Sequence, residues 1–257
     1  MRRAPGSAVD FFADRLVVNP ASDVAWEIGA FRVLAQSRAA GGPLGGDFFA
    51  IRLRSPERLA LVIGDICGRG EEVAHLLPTV LARVEQLAML PARPSHFLQQ
   101  LNRGLSTQLS SDRFVTASAL EIDAVAGTLT IANAGHVPVV LRRAHGRAAV
   151  IGRASGPPLG ILSDSSYFDE TYPLARGDLL VLMTDGVVEA VETDLAGMPK
   201  LTALVEQTEG DGAAVYGRLL EQLRLQQHLH EPDDTTLLSL ELLPSSSRPH
   251  HFEPHAA

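Results

Sequence analysis

Two rhythms of apolar residues divide the chain. Residues 31–35, 48–53 and 59–66 are short apolar runs bounded by Gly, Pro or Ser, and that length and punctuation predict strands. Past Gly70 the spacing lengthens: Val73, Leu76, Leu77, Val80, Leu81, Val84 and Leu87 recur at helical intervals as far as Pro91. A second helix is expected to start at Ser95, whose hydroxyl suits an N-cap, and to carry Phe97, Leu98, Leu101 and Leu105 on one face. Strand signals then return in series. Residues 114–123 and 128–133 flank a Gly-containing turn at 124–127 and predict a hairpin; 137–141 and 167–174 follow, and 179–184 is an apolar run long enough for a buried strand. Helical spacing resumes over 212–230, with Val215, Leu219, Leu220 and Leu223, and 235–242 makes a last strand.

Strands thus come in meanders and helices in separate groups. This favours an α+β sandwich of mainly antiparallel sheets over a doubly wound parallel sheet. The expected organisation is one domain over residues 26–243, with order beginning near Trp26. A segment without sustained period, 1–25, precedes it, and a tail rich in Ser, Pro and His, 244–257, is expected to be disordered. Within the first segment, Asp10-Phe11-Phe12-Ala13-Asp14 reads as a short helix or a docking segment.

With 46% apolar and 20% charged residues, the 257-residue chain can bury a sizeable core. Its formal charge of −8 works against displacing counterions from phosphates, so no nucleic-acid partner is expected. No apolar stretch approaches the roughly 20 residues that span a bilayer, and no apolar leader follows Arg2 and Arg3. The expectation is a soluble, cytoplasmic protein that does not engage a membrane. The single cysteine, Cys67, has no partner for an internal disulfide.

Carboxylates then supply the chemistry. Asp65 and Asp185 close predicted strands, whereas Asp47 and Asp233, with Asp234 beside it, open others. Because the end of one antiparallel strand lies beside the start of the next, these positions are expected to converge at one sheet edge. Like charges so gathered repel unless cations lie between them. The donors are hard oxygens, with neither Cys nor His at metal-ligand spacing, which points to Mg²⁺ or Mn²⁺ rather than Zn²⁺. Two such ions about 3.5–4 Å apart suit hydrolysis of a phosphate ester by activated water. Cys67 lacks the Cys-x₅-Arg phosphate cradle of thiol-dependent phosphatases and reads as a packing residue.

A series of motifs carries a resemblance. They are Gly45-Gly46-Asp47-Phe48-Phe49, Val62-Ile63-Gly64-Asp65-Ile66-Cys67-Gly68-Arg69-Gly70, Phe114-Val115-Thr116-Ala117 and Asn133-Ala134-Gly135-His136. Pro158-Leu159-Gly160, Gly177-Asp178-Leu179-Leu180, Thr184-Asp185-Gly186-Val187-Val188-Glu189-Ala190 and Asp233-Asp234-Thr235-Thr236 complete the order. From about Trp26 to Leu243 the chain resembles the bacterial branch of the 2C-type metal-dependent protein phosphatases, typified by the stage II sporulation protein E phosphatase domain. The resemblance implies two central β-sheets flanked by helices and a centre of two Mn²⁺ or Mg²⁺ ions that hydrolyses phosphoserine or phosphothreonine on a protein. It implies that Asp65 bridges the metals, that the Ile66 carbonyl adds a ligand, and that Asp185 and Asp233 complete the second site. Asp47 would hold metal-bound water or contact a metal directly. The implied substrate class is an anti-sigma-factor antagonist. Input is expected through a separate sensory or activating partner, through residues 1–25, or through homodimer formation.

Departures from the family pattern sharpen these expectations. Ala50 stands where a second Asp is common, so metal binding is expected to be weaker than in a form carrying Asp there. Cys67 replaces a usual Ser and Arg69 a common Lys. His136 is a candidate for substrate contact or leaving-group protonation, and Arg69 for steering phosphate. Asn133 reads as the tie of a tight turn. Gly45-Gly46-Asp47-Phe48-Phe49 is also similar to the Gly-Gly-Asp-Glu-Phe signature of diguanylate cyclases, but the Glu that would bind metal is absent. The alternative from a different class is a catalytically degenerate phosphatase fold that binds a phosphoprotein or regulator.

Overall fold

In the computed structural model, residues 15–18, 23–40, 45–68, 70–110, 112–191, 197–226 and 233–244 are described. The first half holds strands β1 (Arg15–Val18), β2 (Val24–Ile28), β3 (Phe31–Arg38), β4 (Phe48–Ser55) and β5 (Arg58–Ile66), then helices α1 (Glu71–Ala88) and α2 (Pro94–Leu105). Strands β6 (Val115–Asp123), β7 (Thr128–Ala134), β8 (Val139–Arg142), β9 (Ala148–Ile151), β10 (Glu170–Pro173) and β11 (Leu179–Met183) follow. Helices α3 (Asp185–Glu189), α4 (Gly197–Gln207) and α5 (Gly212–Gln226) precede the last strand, β12 (Thr235–Leu242).

Alternation within single strands decides the layering. Along β5, Leu59, Leu61 and Ile63 enter one apolar cluster, while Val62 and Ile66 enter another on the opposite face. The first cluster lies between two six-stranded sheets, ordered β1-β4-β5-β6-β7-β10 and β2-β3-β12-β11-β8-β9. Phe31, Phe49, Leu59 and Ile63 are at most 1% exposed there, and each contributes about 1.5–3 kcal/mol by leaving water. The described strand pairings within both sheets are antiparallel.

Helices cover the outer faces. Val73, Leu77, Val80 and Val84 of α1, with Leu98, Leu101 and Leu105 of α2, close the second cluster against the first sheet. Val187 and Val188 of α3, Leu201 and Val205 of α4, and Val215, Leu219 and Leu223 of α5 close a third against the other sheet. The result is the expected α+β arrangement in four layers, helices–sheet–sheet–helices. No described helix is long and apolar enough to cross a membrane.

Several local expectations change. Ser95 does not cap α2: Pro94 takes the first helical position, Arg93 precedes it without a side-chain cap, and the Ser95 N–H donates to Asp169 Oδ1 at 2.7 Å. Order begins before Trp26, since β1 pairs with β4 and β2 starts at Val24. The segment 10–14 lies outside the described residues, as does most of the tail. Strands β1, β2 and β9 and helices α3 and α4 have no counterpart in the sequence reading.

Candidate metal centre

Strand β4 begins where β5 ends, with Phe48 opposite Gly64, so Asp47 and Asp65 emerge at the same end of the first sheet. The backbones close further through Ile66 N–H, which donates to the Gly46 carbonyl at 3.2 Å. Glycine is required for this approach. A Cβ on Gly46 would stand 2.8 Å from both Asp65 Oδ1 and the Ile66 carbonyl oxygen, and one on Gly45 would stand 2.2 Å from Asp234 Oδ2.

The second sheet brings its acidic residues to the same end. Met183 of β11 pairs with Leu237 of β12, so Asp185 leaves one strand where Asp233 and Asp234 enter the other. Thr184 joins the sheets. Its N–H donates to the Thr236 carbonyl at 3.0 Å, its Oγ1 accepts the Thr236 N–H at 2.9 Å, and its hydroxyl donates to Asp47 Oδ2 at 2.7 Å. Asp185 is exposed and opens α3, where its Oδ1 accepts the Gly186 N–H at 2.9 Å; the Asp-Gly pair starts a helix rather than a simple turn. Asp233 Oδ1 accepts the Asp234 N–H at 2.9 Å. Asp234 spends its own carboxylate on backbone, accepting Ala40 N–H at 2.8 Å and Gly46 N–H at 2.5 Å. That clamp was missed in the sequence, although the adjacent glycines were its signal.

These carboxylates act on one another across the sheet boundary. Burial first, and then Asp65, hold the Asp47 carboxyl well above the usual carboxylate range, against the lowering effect of the Thr184 and Thr236 hydroxyls. Asp65 is pushed up to about 7, chiefly by burial and then by Asp185, Asp233 and Asp234. Among the described residues, no three His, Cys, Asp or Glu side chains are already drawn into a formed ligand cluster. The donor chemistry nevertheless fits a hard divalent cation: only oxygens are offered, Asp65 is short of positive charge, and the Gly46 gap leaves Asp65 Oδ1 and the Ile66 carbonyl side by side.

Other candidate residues fall elsewhere. Arg69 lies outside the described residues. His136 is 5% exposed, and burial lowers its pKa to about 4, so a neutral, enclosed ring replaces the expected substrate contact or leaving-group acid. Asn133 does tie the turn: its Oδ1 accepts the His136 N–H at 2.7 Å, and its Nδ2 donates to the carbonyls of His136 and Gly152 at 2.9 and 2.8 Å. Burial and then Asp65 raise the Cys67 thiol, which fits packing better than nucleophilic chemistry. Arg113, which no sequence pattern singled out, donates from Nη1 to the Cys67 carbonyl at 3.1 Å and braces the loop after Ile66. Ala50 is 3% exposed in the helix-facing cluster with Phe48 and Val62, on the face of β4 opposite Phe49.

Two antiparallel sheets between helical layers, with acidic residues from both sheets at one end, define the 2C-type metal-dependent protein phosphatase fold. The same architecture is found in the RsbU and RsbW domains of Rv1364c from Mycobacterium tuberculosis, with a TM-score of 0.71 and 23% identity over 86% of this chain and 62% of that one. RsbX in complex with magnesium superposes with a TM-score of 0.67 and 18% identity, covering 86% of this chain and 100% of RsbX. Residues 55–243 match the Stage II sporulation protein E (SpoIIE) family, and the chain belongs to that family. It is 28% identical over 222 residues to phosphoserine phosphatase RsbU of Bacillus subtilis (strain 168), covering 84% of this chain and 63% of RsbU. The chain thus spans less than two thirds of that relative's length.

Proposed function

We propose that the chain is a metal-dependent protein serine/threonine phosphatase. The observation that carries this reading is the meeting of acidic residues from both sheets at one end, where Thr184 donates to Asp47 at 2.7 Å, Asp234 accepts the Gly46 N–H at 2.5 Å and the Gly46 gap opens onto Asp65 Oδ1. Asp65 and the Ile66 carbonyl would hold one part of the centre, and Asp185 with Asp233 the other. Asp47, gripped by Thr184, would orient water or complete the coordination. Two Mn²⁺ or Mg²⁺ ions, when bound, supply Lewis acidity that polarises a phosphoryl oxygen and acidifies a water for in-line attack. The protein's own work is to hold these oxygens at the end of a rigid sandwich, where Asp234 and the two glycines fix the loop that carries Asp47.

The relatives support a regulatory substrate. RsbU is a phosphoserine phosphatase, and a phosphorylated anti-sigma-factor antagonist in the cytoplasm, the class the family resemblance implies, is the substrate proposed for this chain. A separate activating partner or a second copy of the chain would provide input.

Hydrolysis of a phosphoserine peptide and an aryl phosphate with Mn²⁺, followed by chelation, tests the reading. Turnover is expected to vanish with the metal. Asp65→Asn and Asp185→Asn are each expected to lower the rate roughly 100-fold or more, about 2.7 kcal/mol of transition-state stabilisation, while folding is retained. Unchanged rates in both variants would reject it. Phosphopeptide binding without turnover in the parent protein would instead favour the degenerate binding module.

A further inference from the structure

A partly buried polar strut stands behind the carboxylates, between the two sheets. Thr116 of β6 lies directly opposite Asp65 of β5. Its neighbours Val115 and Ala117 enter the helix-facing cluster, so Thr116 points the other way, as Asp65 does beside Ile66. Cross-strand partners on one face bring their Cβ atoms to about 5 Å. Thr116 Oγ1 in turn lies 2.9 Å from His136 Nδ1. His136 is enclosed and held from behind by the Asn133 clamp.

The other edge of the ring meets the second sheet. Nε2 has no hydrogen-bond partner among the described residues, and the ring lies against the Met183 backbone. Met183 ends β11; Thr184, which grips Asp47, follows it, and Asp185 comes next. One imidazole therefore abuts both lines of carboxylates.

We propose that His136 is a positioning residue of the centre, acting through Thr116 on Asp65. The inference rests on the metal-centre reading given above. A neutral ring carries one proton. In this arrangement Nδ1 accepts the Thr116 hydroxyl and the ring proton sits on Nε2. The Thr116 proton is thereby turned away from Asp65, whose lone pairs remain for a cation. A strut of this kind orients ligands much as the outer hydrogen-bond partners of metal-binding residues do.

The test uses the full chain and the variants Thr116→Val and Thr116→Ser. Nitrogen NMR of the metal-free parent is expected to show the Nε2–H tautomer of His136. Calorimetric titration with Mn²⁺ is expected to show about 10–100-fold weaker binding in Thr116→Val and near-parent binding in Thr116→Ser, which keeps the hydroxyl. On an aryl phosphate, kcat is expected to fall in the valine variant while KM holds, because Thr116 does not touch substrate. A Nδ1–H tautomer, parent-like Mn²⁺ binding in Thr116→Val, or equal loss in the serine variant would overturn the strut alone. A parent protein that takes up no Mn²⁺ would overturn the metal-centre reading and the strut together.

Discussion

Burial moves Asp65 and His136 in opposite directions, because loss of water penalises the carboxylate in one and the imidazolium in the other. For Asp65 the folded value is about 7 against an ordinary 3.8. Between those values the folded state binds more protons than the unfolded one, so this group makes the metal-free protein less stable as pH rises through the window. His136 has the reverse sign: its folded value of about 4 lies below the ordinary 6.5, and its contribution is lost as pH falls from 6.5 toward 4. Asp65→Asn removes the first effect. In chelator, its melting temperature relative to the parent is expected to rise from pH 4 to about pH 7 and to level off above that, as followed by circular dichroism. A difference that stays flat with pH would contradict the placement of Asp65 among like charges.

At the scale of elements, Ala50 shows how a motif position can mislead. Strand alternation sends residues 48 and 50 to the helices and 49 to the other sheet. An aspartate at position 50 would enter an apolar layer rather than the carboxylate end. Ala50→Asp is therefore expected to destabilise the fold by about 1–3 kcal/mol in urea denaturation, without tightening Mn²⁺ binding. The long, strongly periodic elements were legible: β5, α1, the β6–β7 hairpin and β12 follow from runs of Leu, Val and Ile at strand or helix spacing. Four short residues of β9 carried too little pattern, and α3 hid behind an Asp-Gly pair that usually marks a turn. Of the candidate centre, Asp47, Asp65, Asp185 and Asp233 were visible because each lies at the end of a readable strand. Thr184, Thr236 and Asp234 support them through contacts between distant segments, which local spacing does not encode.

For the whole molecule, the decisive fact is that the candidate ligands are divided between two sheets whose shared interface is apolar and non-directional. A cation drawing on both would bind the folded protein and not the separated strands. At about 100 times its dissociation constant it adds roughly 2.7 kcal/mol, or about 5–10 °C in melting temperature for a domain of this size. Thermal denaturation with and without Mn²⁺ is expected to show that rise in the parent and to lose it in Asp185→Asn. The topology also sets a timetable. Strands β4 to β7 are near neighbours in space and come early in the sequence, whereas β12, the last of the described strands to be synthesised, must slot between β3 and β11 and pair Leu242 with Phe31. Such distant pairing is slow and waits for the chain to be made. A nascent polypeptide therefore carries Asp47 and Asp65 before Asp233 exists to face them, and the ability to take up metal would mark the completion of the sandwich.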